Sequence, residues 1–171
     1  MMRQLNVLDP KFREKLELVL KRTKDKGYVL VPYYTRRSLQ TQAKLWRQSR
    51  TWQEIKRKID YFRDNNCNYL ADILKSVGPQ MGRWATNAPP GFSWHQYDLA
   101  ADCFIMENNK AIWDDKHKGY LMYYRMCEEA GIYSGYDFGD INHCQDRLGS
   151  VLDYYSLEEI DRMMQEKFGI K

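Results

Sequence analysis

The apolar run Ala100-Ala101-Asp102-Cys103-Phe104-Ile105-Met106 reads as a strand, and Glu107-Asn108-Asn109-Lys110 turns it back through a hairpin into Ala111-Ile112-Trp113. A committed strand in mid-chain calls for partners, and the flanking sequence supplies them between helices. Asp9-Pro10 opens a helix, with Asp as cap and Pro in the first turn. Phe12, Leu16, Val19 and Leu20 mark its apolar face, and Gly27 stops it. Tyr28-Val29-Leu30-Val31 follows as a strand, with Pro32-Tyr33-Tyr34-Thr35 as its exit. Ser38 caps a helix running through Gln42, Leu45 and Trp46 to about Gln48.

From Ser49 to about Val77 the spacing is helical but less tidy. Trp52, Ile55, Ile59 and Phe62 form one set, Tyr69, Ile73 and Leu74 another. One or two helices are expected here, a helical insertion over about 49–81 and a candidate wall for a substrate cleft. Gly78 to Gly91, with Pro79, Gly82, Pro89 and Pro90, is a loop. Lys116 to Ala130 reads as a helix closed by Gly131. Ile132–Phe138 and Asn142–Arg147 read as short strands, with Asp140 at the turn between them. Ser156-Leu157-Glu158-Glu159 is a capping box, opening a last helix whose face is Ile160, Met163, Met164 and Phe168. No repeat or linker interrupts the pattern. The expectation is an α+β fold, one domain over 1–171, with a small antiparallel sheet flanked by helices.

At 171 residues the chain is long enough to bury a core without staples. Lys plus Arg exceed Asp plus Glu by 27 − 23 = 4. That mild excess suits an anionic polymer, but no basic cluster has the density expected of a nucleic-acid binder. Nothing approaches the roughly 18 consecutive apolar residues of a membrane span. The start, Met1-Met2-Arg3-Gln4-Leu5-Asn6, lacks the apolar centre of a secretory signal. Action outside the cytoplasm would then need another exit route. Cys67, Cys103, Cys127 and Cys144 show no CxxC spacing, so reduced structural thiols are expected. Because Cys103 and Cys144 follow Asp102 and His143, a soft-metal role is the minor alternative.

Three histidines are present, His95, His117 and His143. His117, between Lys116 and Lys118 at a helix start, reads as a solvated surface residue. The other two stand near carboxylates: His95 seven residues before Asp102, His143 three after Asp140. If Asp102 and His143 lie on strands, their cysteine neighbours point to the opposite face, into the core. Two imidazoles and one carboxylate are a recurring ligand set for a catalytic zinc, which keeps a fourth position for water. His95, Asp102 and His143 are the candidate ligands of one Zn2+ ion, and Asp140 is left to act as base. Attack of a metal-activated water on a carbonyl also needs a group to stabilise the oxyanion. Arg37, with Gln42 five residues on, is the candidate, and Arg36 is its less certain neighbour.

These residues fall into an ordered set. Ser93, His95, Ala100 and Asp102 match Ser-x-His-x-x-Gly-x-Ala-x-Asp. Asp140 and His143 match an acid followed after two residues by His, and Arg37, Ser38 and Gln42 match Arg-Ser-x-x-x-Gln after a strand. The combination resembles the zinc peptidases that cut bacterial cell-wall peptides. That family includes the D-alanyl-D-alanine carboxypeptidases linked to vancomycin resistance and the L-alanyl-D-glutamate endopeptidases that phages use as endolysins. The lead-in Thr86-Asn87-Ala88-Pro89-Pro90-Gly91 is also similar to the family's. The three motifs cover about residues 28 to 145.

The resemblance implies a fold like that of the DD-peptidases and hedgehog domains. It implies zinc on His95, Asp102 and His143, Asp140 as catalytic base, and Arg37, Gln42 and Ser93 in contact with substrate or polarising its carbonyl. Aspartate rather than glutamate at the base position looks more like the endolysin branch. The implied partner is the peptidoglycan peptide stem, with no nucleic acid and no membrane, acted on by a monomer. Such a bacteriolytic enzyme would gather in the host cytoplasm and reach the wall after membrane disruption. Two other readings stay open: a D-alanyl-D-alanine carboxypeptidase, and a non-catalytic module that holds wall peptides or nucleic acid. One departure stands out, since the family's glycine is Asp98 here. If that position has positive φ, aspartate is among the few side chains that tolerate it.

Overall fold

A computed structural model describes residues 5–169. In chain order its main elements are α1 (Pro10–Asp25), β1 (Val29–Tyr34), α2 (Leu39–Arg47), α3 (Trp52–Asp64), α4 (Asn68–Ser76), β2 (Ala100–Glu107), β3 (Lys110–Ile112), α5 (Lys118–Glu129), β4 (Tyr133–Ser134), β5 (His143–Gln145) and α6 (Leu157–Phe168). Helices and a small antiparallel sheet make this an α+β protein. The chain gathers into two compact units, each discontinuous in sequence. One comprises the chain up to Arg36 with Tyr97–Leu148, the other Arg37–Gln96 with the chain from Gly149 on.

The first unit holds the sheet, in the order β1-β2-β5-β4 with β3 also on β2. β1 pairs along one edge of β2, while β5 (at Ala100–Asp102) and β3 (at Ile105–Glu107) share the other. Side chains of a strand alternate between faces. Ala101, Cys103 and Ile105 therefore enter a core with Leu30, Cys144, α1 (Phe12, Leu16, Val19) and α5 (Tyr120, Tyr123, Cys127). Asp102 and Phe104 point to the other face. α1 forms where its caps predict: Asp9 Oδ1 accepts from the N–H groups of Lys11 and Phe12, at 2.9 and 3.2 Å. Asn108 and Asn109 both hold left-handed φ in the β2–β3 turn, which asparagine tolerates. All four cysteines are buried free thiols, and burial holds those of Cys103 and Cys127 well above the usual thiol range.

Two strand expectations change. β1 continues through the predicted exit to Tyr34: Pro32 pairs with Cys103 on an edge strand, where its missing N–H can face away from the ladder, and a bulge follows between Pro32 and Tyr34. The strand predicted over 132–138 pairs only at Tyr133–Ser134. Gly135–Phe138 is a 3-10 turn, capped by Ser134 Oγ accepting from the Tyr136 N–H at 3.2 Å.

The second unit is helical. The 49–81 segment contains two helices, α3 opened by a Thr51–Glu54 capping box and α4 without a local cap. Asp161 of α6 caps α4 instead, its Oδ1 accepting from the Leu70 N–H at 2.8 Å. α6 begins at the predicted Ser156–Glu159 box and buries Ile160 and Met164. The loop to Gly91 is tied down by Arg50. Its guanidinium lies between the rings of Trp46 and Trp84, 4.1 and 3.7 Å from their centroids, and donates to Thr86 O at 2.9 Å. No helix among the described residues is long and apolar enough to cross a membrane.

Candidate metal centre

Asp102 and His143 sit directly opposite each other on β2 and β5. His143 Nδ1 lies 3.0 Å from Asp102 Oδ1, and His143 Nε2 lies 2.9 Å from Gln145 Oε1. Gln145 is oriented by its own amide, which donates to Arg147 O at 2.6 Å. Both imidazole nitrogens thus face acceptor oxygens. A neutral imidazole has one N–H, so with Nε2–H on Gln145 a second proton or a metal ion belongs between Nδ1 and the carboxylate. Burial pulls the His143 pKa down, but the Asp102 hydrogen bond and charge, with Asp140 and Gln145, raise it to about 9. Sequence reading passed over Gln145. Its signal was the two-residue spacing that puts it on His143's face of a strand.

His95 belongs to the 3-10 turn Trp94–Tyr97, which leads into β2, and is 2% exposed. His95, Asp102 and His143 each offer one ligand atom, and these atoms lie within 4.8 Å of one another. The donor set and the paired acceptors around His143 both fit a divalent cation.

Asp98, at the turn between His95 and Asp102, has φ 63°. Its carboxylate accepts from Arg36 Nε at 2.7 Å and Nη2 at 2.6 Å. The neighbouring arginines therefore have separate tasks. Arg36 holds the Asp98 turn, while the Arg37 guanidinium donates to Gln42 Oε1 at 3.1 Å and the Arg37 N–H to His95 O at 3.3 Å. Gln42 is fully buried: its Nε2 donates to Ala88 O at 2.7 Å, and its Oε1 also accepts from Gln96 at 3.3 Å. Ser93 joins the same network through its N–H, which donates to Gln96 Oε1 at 3.1 Å.

Asp140 is exposed, on the turn between β4 and β5. Its N–H donates to Gly135 O at 2.9 Å and its C=O accepts from the His143 N–H at 3.0 Å. Phe138, on the same turn, is 64% exposed with its ring centroid 6.3 Å from that of His143. His117 differs from its predicted role. It is the half-buried N-cap of α5, Nδ1 accepting from the Gly119 N–H at 3.1 Å, and packs edge-on against Tyr28.

No family model matches the chain, and no curated protein matches it. Among solved structures it is similar to the crystal structure of an L,D-carboxypeptidase, DacB, from Streptococcus pneumonia. The two share 19% identity over 96% of this chain and 78% of that one, with a TM-score of 0.46.

Proposed function

We propose that the protein is a zinc-dependent peptidase that hydrolyses the peptide stem of bacterial peptidoglycan at the L-alanyl-D-glutamate bond, in the manner of a phage endolysin. The observation that carries the reading is the convergence of His95, Asp102 and His143, with ligand atoms within 4.8 Å, on the residues that the family motifs single out. Zinc bound there would acidify a water toward a pKa of about 7 and polarise the scissile carbonyl.

The chain's own groups divide the remaining work. His143 keeps Nδ1 as a ligand because its Nε2–H is spent on Gln145. Asp140, open to solvent, takes a proton from the attacking water and returns it to the departing amine. Arg37 supplies positive charge to the oxyanion, oriented by the buried Gln42 rather than assisted by it in direct contact. Ser93 helps hold the turn that carries His95. The enzyme acts on the wall once the membrane has been breached.

The test is a peptidoglycan digest read by mass spectrometry alongside bound-metal analysis. New L-alanine C-termini and D-glutamate N-termini, with one zinc per chain, are expected. Free D-alanine with intact L-alanyl-D-glutamate bonds would replace this reading with a carboxypeptidase, and binding without cleavage would make it a holding module.

A further inference from the structure

Three aromatic rings cluster on the sheet face that carries Asp102. Phe104 is two residues along β2 from Asp102 and so points to the same side. Ile112 pairs with Ile105, which places Trp113 one step beyond the ladder and opposite Phe104. Tyr33, at the β1 bulge, completes the group. Ring centroids are 5.2 Å apart for Phe104–Trp113, 5.2 Å for Tyr33–Trp113 and 5.8 Å for Tyr33–Phe104. Tyr33 meets the Trp113 indole edge-on, at 85°. Yet Trp113 remains 54% exposed. An indole braced on two sides and left half bare is a rigid, flat, apolar surface, and water is a poor partner for it.

We propose that Trp113, braced by Phe104 and Tyr33, is a subsite for the glycan of the substrate, stacking on one face of an N-acetylated sugar ring. This rests on the peptidase reading above and extends it to the part of the substrate that is not peptide. The ring face of a sugar carries polarised C–H bonds that suit the negative face of an indole. Exposed Asp115, two residues on, offers an acceptor for the hydroxyl and amide donors at the ring's rim, while Asp114 Oδ1 accepts from the Lys116 N–H at 3.0 Å.

Spacing favours the same occupant. Trp113 stands across from Phe104, itself two strand residues from Asp102, which puts it roughly 8 Å from Asp102. In a stem cut after L-alanine, the sugar is about two residue lengths, roughly 7 Å, from the scissile carbonyl. A cut between terminal D-alanines would leave the sugar about five lengths, or roughly 17 Å, away. A protein partner fits less well, because a stable interface needs about 800 Å² on each side and this patch is one indole with two half-buried rings.

Two measurements decide it. In the first, the indole N–H resonance of Trp113, identified by its loss in Trp113→Phe, is followed during titration with a tetramer of N-acetylglucosamine. A saturable shift of that signal is expected, and no shift at concentrations of about 10 mM, well above a weak sugar Kd, overturns the proposal. In the second, KM is compared for a glycan-linked and a glycan-free stem peptide. The wild-type protein should favour the linked substrate by about tenfold, and the preference should vanish in Trp113→Ala and be partly restored in Trp113→Phe. A wild-type protein without the preference, or an alanine variant that keeps it, also overturns the proposal. The titration needs no catalysis. A shift without peptide cleavage keeps the sugar site and discards the peptidase, and cleavage without a shift does the reverse.

Discussion

Arg36 and Asp98 form a two-pronged ion pair, Nε to Oδ1 at 2.7 Å and Nη2 to Oδ2 at 2.6 Å, across a turn where Asp98 holds φ 63°. Asp98 lies on the peptide turn that separates His95 from Asp102, and Arg36 follows the end of β1. The same turn reaches back to the start of α1, since Asp98 O accepts from the Asp9 N–H at 3.0 Å and Arg36 Nη2 also donates to Val7 O at 3.2 Å. An aspartate at this left-handed position thus gains a partner that glycine could not engage.

Two terms should separate in variants of this turn. Arg36→Ala removes a partly exposed pair and should cost about 1 kcal/mol. Asp98→Gly loses the same pair but keeps the backbone at ease, whereas Asp98→Ala adds left-handed strain and should be less stable than Asp98→Gly by about 1 kcal/mol. Urea unfolding measures all three. Equal midpoints for the glycine and alanine variants would remove the strain argument.

Asp140 and Gly135 make a complementary pair of tests. A Cβ on Gly135 would collide with Asp140 O, which forces the backbone carrying Asp140 to move. Gly135→Ala should therefore lower both stability and activity. Asp140→Asn, at an exposed site, should change stability by less than about 0.5 kcal/mol while lowering kcat by roughly 10²-fold or more. Full lytic activity in Asp140→Asn would remove Asp140 from the mechanism.

The pH dependence of metal-free protein follows from His143. Its folded pKa of about 9 stands above the unfolded value of about 6.5, so the imidazolium stabilises the fold fully below pH 6.5. That contribution, on the order of 3 kcal/mol, should fall away as pH rises from about 6.5 through 9. A zinc ion bound through His143 would compete with the same proton, so its added stabilisation should grow over that range. Thermal melts with and without chelator read both slopes, and a metal-free melt unchanged between pH 6 and 9 would contradict the assignment.

Gln145 should tune the metal without touching it. Replacing Gln145 with Leu removes the acceptor that occupies His143 Nε2–H, and zinc affinity should drop by about 10- to 100-fold. Gln145→Glu restores an acceptor and should recover much of the loss. Competition with a chromophoric chelator measures both, and equal affinity in wild type and Gln145→Leu would show that His143 is oriented by something else.

Sequence by itself determined the elements whose causes are local. The Asp9-Pro10 start of α1, the Ser38 and Ser156 caps, the asparagine turn after β2 and the alternation that sends Cys103 and Asp102 to opposite faces of the sheet all depend on neighbours a few residues away. The α+β class was legible too, and so was the local spacing that marks His95, Asp102 and His143 as candidate metal ligands. Tertiary structure alone decided what depends on distant partners. β1 runs on through Pro32 to Tyr34 because β2 lies alongside it, and α4 starts without a cap of its own because Asp161 arrives from α6. It also separated Arg36 from Arg37, a distinction invisible in the dipeptide, by giving one to Asp98 and the other to Gln42. The meeting of Asp102 with His143, 41 residues apart, is a matter of strand register, and register is set by the whole pleated face rather than by either residue.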